Sequence, residues 1–523
     1  MGRRVFKAIA LIGMGAAAFV GCATASVRRD AFRVEEATIA DIHAALRSGA
    51  TSCRGLVAQY LERIEAYDRR GPAVNALVVV NPDALRLAGE LDVRHTRGGA
   101  LGAMHCVPII VKDNMETVDL PTSAGSKSLE GFVAQRDAFI VRRMREAGAI
   151  ILAKSNMAEF AFSPYETVGS LIEGPTRNPY LLDRVPAGSS GGTAVAVASS
   201  MGAVGLGTDT GNSIRGPSAH TALVGIRPTM GLTSRAGIVP LNLGADIAGP
   251  MTRTVADAAA VLEVIAGADA ADPVTAASAG RIPSSYASSL NAGRLRGARI
   301  GILRQAYESA TTDPEVVALF ERALDDMRRK GATIVDSIVI DSLAAMRRGN
   351  CNQTKFDLNA WLGSHDGRAP VRTLEEIIAS GRFHPSIEQR LRTAQAVELA
   401  PNENPGCATR DSSRARLREA VTGLMDRNRL DALAYPTWSN APRPIGDLRT
   451  PHGDNNQLFA PSTGFPAITV PMGYLQVNTL PAGLQLLGRA WSEPVLIGLA
   501  YAYEQATQHR RRPPTVPALG ANR

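Results

Sequence analysis

Aromatic side chains are scarce in this 523-residue chain, at 5% of the total with three tryptophans. That leaves too few flat rings for a base-stacking surface, so no nucleic-acid partner is expected. Histidines number eight and cysteines five. The cysteines form no Cys-x-x-Cys pair and no Cys/His pattern at zinc-site spacing, so no metal is expected. Charge of one sign is not concentrated either: the net charge is +8, and Arg3, Arg4 and Lys7 sit in the first seven residues. What remains over so long a chain reads as a solvated surface. There is no internal repeat, no low-complexity tract and no clean interior linker. A membrane-spanning run is also lacking. The apolar stretch Ala8–Gly21 has 14 residues, about 21 Å as a helix against a hydrocarbon core of about 30 Å.

What is present begins with that stretch. "MGRRVFKAIALIGMGAAAFVGC" sets basic residues before an apolar run and reads as an export signal. "RRVFK" resembles a twin-arginine signal, and "FVGC" resembles a bacterial lipobox with Cys22 as the lipidated first residue. The expected organisation is a signal over 1–21, a tether over 22–33 and one domain over 34–515 with a covering insert at about 343–425. The expected location is periplasmic, with a lipid anchor on Cys22 holding the protein at the membrane. Four cysteines then remain. Cys106, beside an apolar strand, reads as a packed thiol. Cys351 and Cys407 share the insert of an exported protein and are candidates for a disulfide.

Hydrophobic residues at 45% and charged residues at 20% are ordinary for a soluble globular protein, and the length buries a large core. Residues 36–68 alternate apolar and charged positions at helical spacing. "ALVVV" and "VPIIVKDN" are short, branched and apolar, as buried strands are. "DAFIVRRMREAGAIILAKSN" reads as helix, glycine turn and strand, and "ARIGILRQAYE" with "FERALDDMRRKGATIVD" as strand, helix and strand. "DALAYPTW" and "FPAITVPMGY" return to strand composition before a last helix, "EPVLIGLAYAYEQAT". The pattern is α/β.

Two glycine-rich loops carry hydroxyls: "AGSSGGTAVAVASS" at 187–200 and "GTDTGNSIRGPS" at 207–218. Glycines let backbone N–H groups approach a ligand, so amides near Ser213 suit an oxyanion. Pro217 suits a first helical position. Taken alone, the second loop reads as a tight turn with a solvated serine. No phosphate-loop ending and no Gly-x-Ser-x-Gly elbow is present, and neither loop contains a histidine.

Residues 187–232, "AGSSGGTAVAVASSMGAVGLGTDTGNSIRGPSAHTALVGIRPTMGL", resemble the glycine/serine-rich block of the amidase signature enzymes. "GGALGAMHCVPIIVKDN" resembles that family's lysine-bearing strand, "GAIILAKSNMAEF" the strand and helix after it, and "FPAITVPMGY" onward its carboxy-terminal block. The resemblance implies a single large α/β domain with a mixed β-sheet flanked by helices on both faces. It implies hydrolysis of a carboxylic amide through a serine acyl-enzyme without cofactor. By position, Ser213 is then the nucleophile, Ser189 a bridging serine on a cis peptide, and Lys112 the base. The backbone amides of Thr210, Gly211, Asn212 and Ser213 line the oxyanion hole, and Asp209 and Arg215 brace the loop. A buried lysine loses its preference for the charged form, and so becomes a usable base. No histidine takes part, though His105 and His220 fall near the site. Asn212 departs from the family pattern, which has glycine there; its side chain is expected to narrow the acyl pocket or contact substrate, with a left-handed backbone to accommodate it. The expected partner is a small-molecule amide, and the oligomeric state is open, a dimer included. The alternatives are the glutaminase subunit of a tRNA-dependent amidotransferase, which the leader disfavours, and a surface lipoprotein that binds without turnover.

Overall fold

The structure is a computed structural model that describes residues 1–2, 32–97, 101–336, 338–341, 343, 349 and 351–520. The leader after Gly2, Cys22 and nearly all of the tether lie outside the described residues. So do several positions where the insert begins.

Eleven strands form one sheet: β1 Leu77–Val80, β2 Pro108–Lys112, β3 Ile150–Ser155, β4 Val204–Asp209, β5 Val224–Arg227, β6 Ile247–Thr252, β7 Arg299–Ile302, β8 Thr333–Val335, β9 Ala432–Pro436, β10 Ala467–Leu475 and β11 Leu480–Leu487. Their order is β1-β3-β2-β4-β6-β5-β10-β11-β9-β7-β8. The sheet is mixed, with β2 parallel to both β3 and β4, and β4 antiparallel to β6. Every residue of β2, β3, β4, β6, β10 and β11 is buried. Continuous burial means that helices cover both faces, which is why these strands read as unbroken apolar runs rather than alternating ones.

The helix Gly191–Ala198 shows how composition serves packing. It is built from glycine, alanine, valine and one threonine, and every residue in it is buried. Only small side chains allow it to lie close against β2 and β4, which it contacts. The short helix after the second glycine loop runs Arg215–His220. Pro217 is therefore its third residue and not its first.

The segment from Cys351 is helical: Thr354–Gly363, Leu374–Ser380, Glu388–Gln395 and the long Pro405–Arg427. Leu358, Trp361, Leu362 and Leu391 meet Phe132 and Phe160 of the main body in a second apolar cluster, separate from the principal core. Trp361 also donates from Nε1 to the Glu116 carboxylate at 2.8 Å.

Cys351 and Cys407 form a disulfide across this segment. Cys106 is no packed thiol: it is bonded to Cys53. The helix Cys53–Tyr67 starts against the entry to β2, bringing the two Cα atoms within 5.5 Å, inside bonding range. A partner 53 residues away leaves no local signature in the sequence. Among the described residues no helix is long and apolar enough to cross a membrane, and no group of three His, Cys, Asp or Glu is placed to hold a metal ion.

Candidate active site

β2 ends at Lys112, which has no solvent exposure. Parallel pairing with β4 brings the "GTDT" stretch alongside it. Lys112 Nζ donates to Ser189 Oγ at 2.7 Å and to Thr208 Oγ1 at 2.7 Å. Thr208 Oγ1 also accepts from Asn114 Nδ2 at 3.1 Å. Burial in this low-dielectric position pulls the Lys112 ammonium down to about 7, against the weaker upward pull of Asp209 and Asp246.

The peptide bond Gly188–Ser189 is cis. Gly188 has no room for a side chain: a Cβ there would lie 2.5 Å from the carbonyl oxygens of Glu166 and Ser163. Its N–H donates to Pro164 O at 2.9 Å, and Ser189 O accepts from Ala158 N at 3.1 Å. The next serine, Ser190, is tied by its hydroxyl to the Thr208 carbonyl at 3.2 Å. The two glycine loops are thus stitched together through β4.

Ser213 lies where β4 gives way to the helix Arg215–His220 and is 5% exposed. The N–H groups of Gly211, Asn212 and Ser213 have no acceptor among the described residues. Asp209 and Arg215, expected to brace this loop, are both fully buried and paired at 3.1 Å, and Arg227 joins Asp209 at 2.8 Å. Burial alone would raise the Asp209 carboxyl; the two guanidiniums, with the Ile214 N–H at 3.2 Å, hold it well below the usual carboxylate range. Arg215 also donates to the Gly211 carbonyl at 2.7 Å. Thr210 turns its hydroxyl to Asp246 Oδ1 at 2.5 Å. Asp246 is buried, which pushes its carboxyl up to about 6.

Asn212 departs from expectation. Its side chain is fully buried and tied to protein groups: Nδ2 donates to Pro164 O at 3.1 Å, and Oδ1 accepts from Asn456 Nδ2 at 3.0 Å. Its backbone is not left-handed. The space it needs comes from Gly216, one helical turn on, where a Cβ would fall 2.0 Å from Asn212 Oδ1.

The two histidines separate. His105 lies before the start of β2, opposite the Lys112 end, beside His43 and His95; it is not near the site. His220 closes the short helix, stacked on Trp438 at 4.5 Å, and burial takes its imidazole down to about 3. The Asn440 backbone beside the ring pulls the other way, and less strongly than burial.

Thr208, Asn114, Asp246 and Asn456 were missed from the sequence. For Thr208 a signal existed: it lies inside the second glycine loop, next to Asp209, on a strand pairing with the lysine-bearing one. Asn456 lies more than 240 residues from the loop it touches and gave none.

The chain is similar to known proteins along most of its length. The Amidase family profile matches residues 55–497. A probable amidase of Arabidopsis thaliana is 34% identical, with 94% of each chain covered. A subunit of the glutamyl-tRNA(Gln) amidotransferase of Moorella thermoacetica is 34% identical over 87% of this chain and 94% of its own. Among solved structures, native peptide amidase from Stenotrophomonas maltophilia superposes with a TM-score of 0.82 at 38% identity, covering 91% of this chain and 98% of the other.

Proposed function

From the premise that the chain belongs to the amidase family and is a hydrolase acting on amides, we propose that Ser213 is its nucleophile, Lys112 its base and Ser189 the relay between them. The observation that carries this reading is a fully buried lysine, held near neutrality, 2.7 Å from the hydroxyl of Ser189. A neutral amine accepts a proton from Ser189 while Ser189 takes one from Ser213, because a hydroxyl both donates and accepts. Ser213 Oγ then attacks the amide carbon. In this reading the amides of Thr210, Gly211, Asn212 and Ser213 receive the developing oxyanion. The proton returns through Ser189 to the leaving nitrogen, releasing ammonia or an amine. Water repeats the cycle on the acyl-enzyme to give the acid. His220, kept neutral and turned against Trp438, has no part in it.

The substrate class we assign is the amide of a peptide, supported by the 38% identity to peptide amidase. The glutaminase reading draws on the likeness to the Moorella amidotransferase protein. Two disulfides favour an oxidising compartment and hence the exported reading over tRNA chemistry in the cytoplasm. That supports the assignment of residues 1–21 as a leader and Cys22 as a lipid-bearing residue at the periplasmic membrane surface. Purified protein should label with a fluorophosphonate and release ammonia from peptide amides without any partner protein. The Ser213→Ala variant should do neither. Ammonia release from glutamine only when partner subunits are added would overturn the assignment. Cys22→Ala should abolish incorporation of labelled fatty acid; undiminished incorporation would refute the anchor.

A further inference from the structure

Asparagine at 212 fills the space left by a glycine and joins three separate segments. Its Nδ2 reaches Pro164 O at 3.1 Å and Gly188 O at 3.4 Å, the latter being the carbonyl that immediately precedes Ser189. Its Oδ1 accepts from Asn456 Nδ2 at 3.0 Å. Asn456 is itself fully buried and anchored: Nδ2 also reaches Thr437 O at 2.9 Å, and Oδ1 accepts from Arg215 Nη1 at 3.2 Å. Arg215 in turn holds Asp209, the residue that receives the Ile214 N–H. One carboxamide, adjacent in sequence to Ser213, therefore bonds to the peptide that carries Ser189 and to Asn456, more than 240 residues away. The helix Arg215–His220 leaves a gap for it only because residue 216 has no Cβ.

We propose that Asn212 is a positioning residue: its side chain, housed by Gly216 and held by Asn456, sets the spacing between the Ser189 loop and the Ser213 loop. The proposal rests on the reading of those serines as relay and nucleophile. Since Asn212 is buried away from solvent, it acts on the transfer step and not on substrate capture. Loss of the spacer displaces one hydroxyl from the other, and a misplacement of about 1 Å costs on the order of 100-fold in rate.

Asn212→Gly removes the spacer. It should lower the rate constant for fluorophosphonate acylation and kcat by about 10–100-fold, with KM and the melting temperature little changed. Gly216→Ala, whose new methyl must drive the Asn212 side chain off its partners, should give a comparable loss. The double variant should be no slower than Asn212→Gly alone, because alanine then finds the space empty. Should the glycine exchange not yield folded protein, Asn456→Ala, which deletes the donor to Oδ1, should lower the acylation rate about 10-fold. Wild-type acylation by a folded Asn212→Gly or Asn456→Ala, or losses that multiply independently in the double variant, overturns the proposal. The Ser213→Ala control keeps the two readings apart. If it still labels, the assignment of the nucleophile fails. If it does not label while the asparagine variants behave as wild type, only the positioning role fails.

Discussion

Lys112 and Lys154 lie at the ends of neighbouring parallel strands, and neither touches solvent. Their surroundings are opposite. Val111 pairs with Lys154 and Lys112 with Ser155, so the two amines project to opposite faces of the sheet. On one face Lys154 Nζ has Asp113 at 3.5 Å, Pro121 O at 2.9 Å and Thr122 Oγ1 at 2.9 Å. Three acceptors, one a carboxylate, match the three N–H bonds of an ammonium. On the other face Lys112 has two hydroxyls, each able to donate as well as accept, and the carboxylates of Asp209 and Asp246 act on it only from a distance. Burial lowers both amines, but beside Lys154 the Asp113 carboxylate pulls back toward the charged form, whereas the carboxylates acting on Lys112 lie beyond hydrogen-bonding distance.

The largest effect should come from breaking the side that withholds charge. Lys112→Met keeps most of the volume and deletes the amine, and should lower turnover by about 10²–10⁴-fold, the usual range for a lost proton-transfer group. The check is steady-state hydrolysis of a peptide amide alongside a thermal melt, which should barely move. Lys154→Met should do the reverse. It strands Asp113 in the interior and should remove about 3–5 kcal/mol of stability, read from denaturant midpoints, while the fraction of folded molecules that label stays at the wild-type level. If Lys154→Met loses activity and not stability, the contrast between the two lysines collapses.

A pH profile sharpens the same contrast. As the proposed base, Lys112 acts when neutral, and the neutral fraction grows as pH rises through about 7. Acylation should therefore fall about tenfold for each pH unit below that point and level off above it. His220 cannot be the source of such a profile, since its imidazole is held near 3 and is neutral throughout the range. The smallest effect expected is that of His220→Phe, which keeps a ring against Trp438 and should leave both the plateau and the midpoint in place. A midpoint that moves with His220 and not with Lys112 would transfer the base to histidine.

Much of this was readable beforehand, and the reasons differ by element. β2, β3 and β10 stood out because strands buried on both faces are short runs of apolar residues, a purely local property; β4 did not, because its glycines, Thr208 and Asp209 read as loop. The pairing of Asp209 with Arg215 was visible because six positions separate them across one turn of chain. Lys112 came into view only through family resemblance, since a lysine closing an apolar strand is more often solvated. Lys154 lies next to the end of its strand, and nothing in "IILAKS" marks it apart from the lysine of "VPIIVK". The side chain of Asn212 was expected to narrow the acyl pocket or contact substrate because it stands where the family pattern has glycine; its partners in the structure come from positions 164, 188 and 456.

The amino-acid sequence by itself determined the family, several of the buried strands and helices and the two hydroxyl-bearing glycine loops, because each depends on residues close together along the chain. Tertiary structure alone decided which buried lysine lacks a carboxylate, that Cys106 meets Cys53, and that Gly216 makes room for Asn212. These outcomes depend on what packing places within a few ångströms. Both the dielectric around an amine and the space around a side chain are set by neighbours that the linear order does not name.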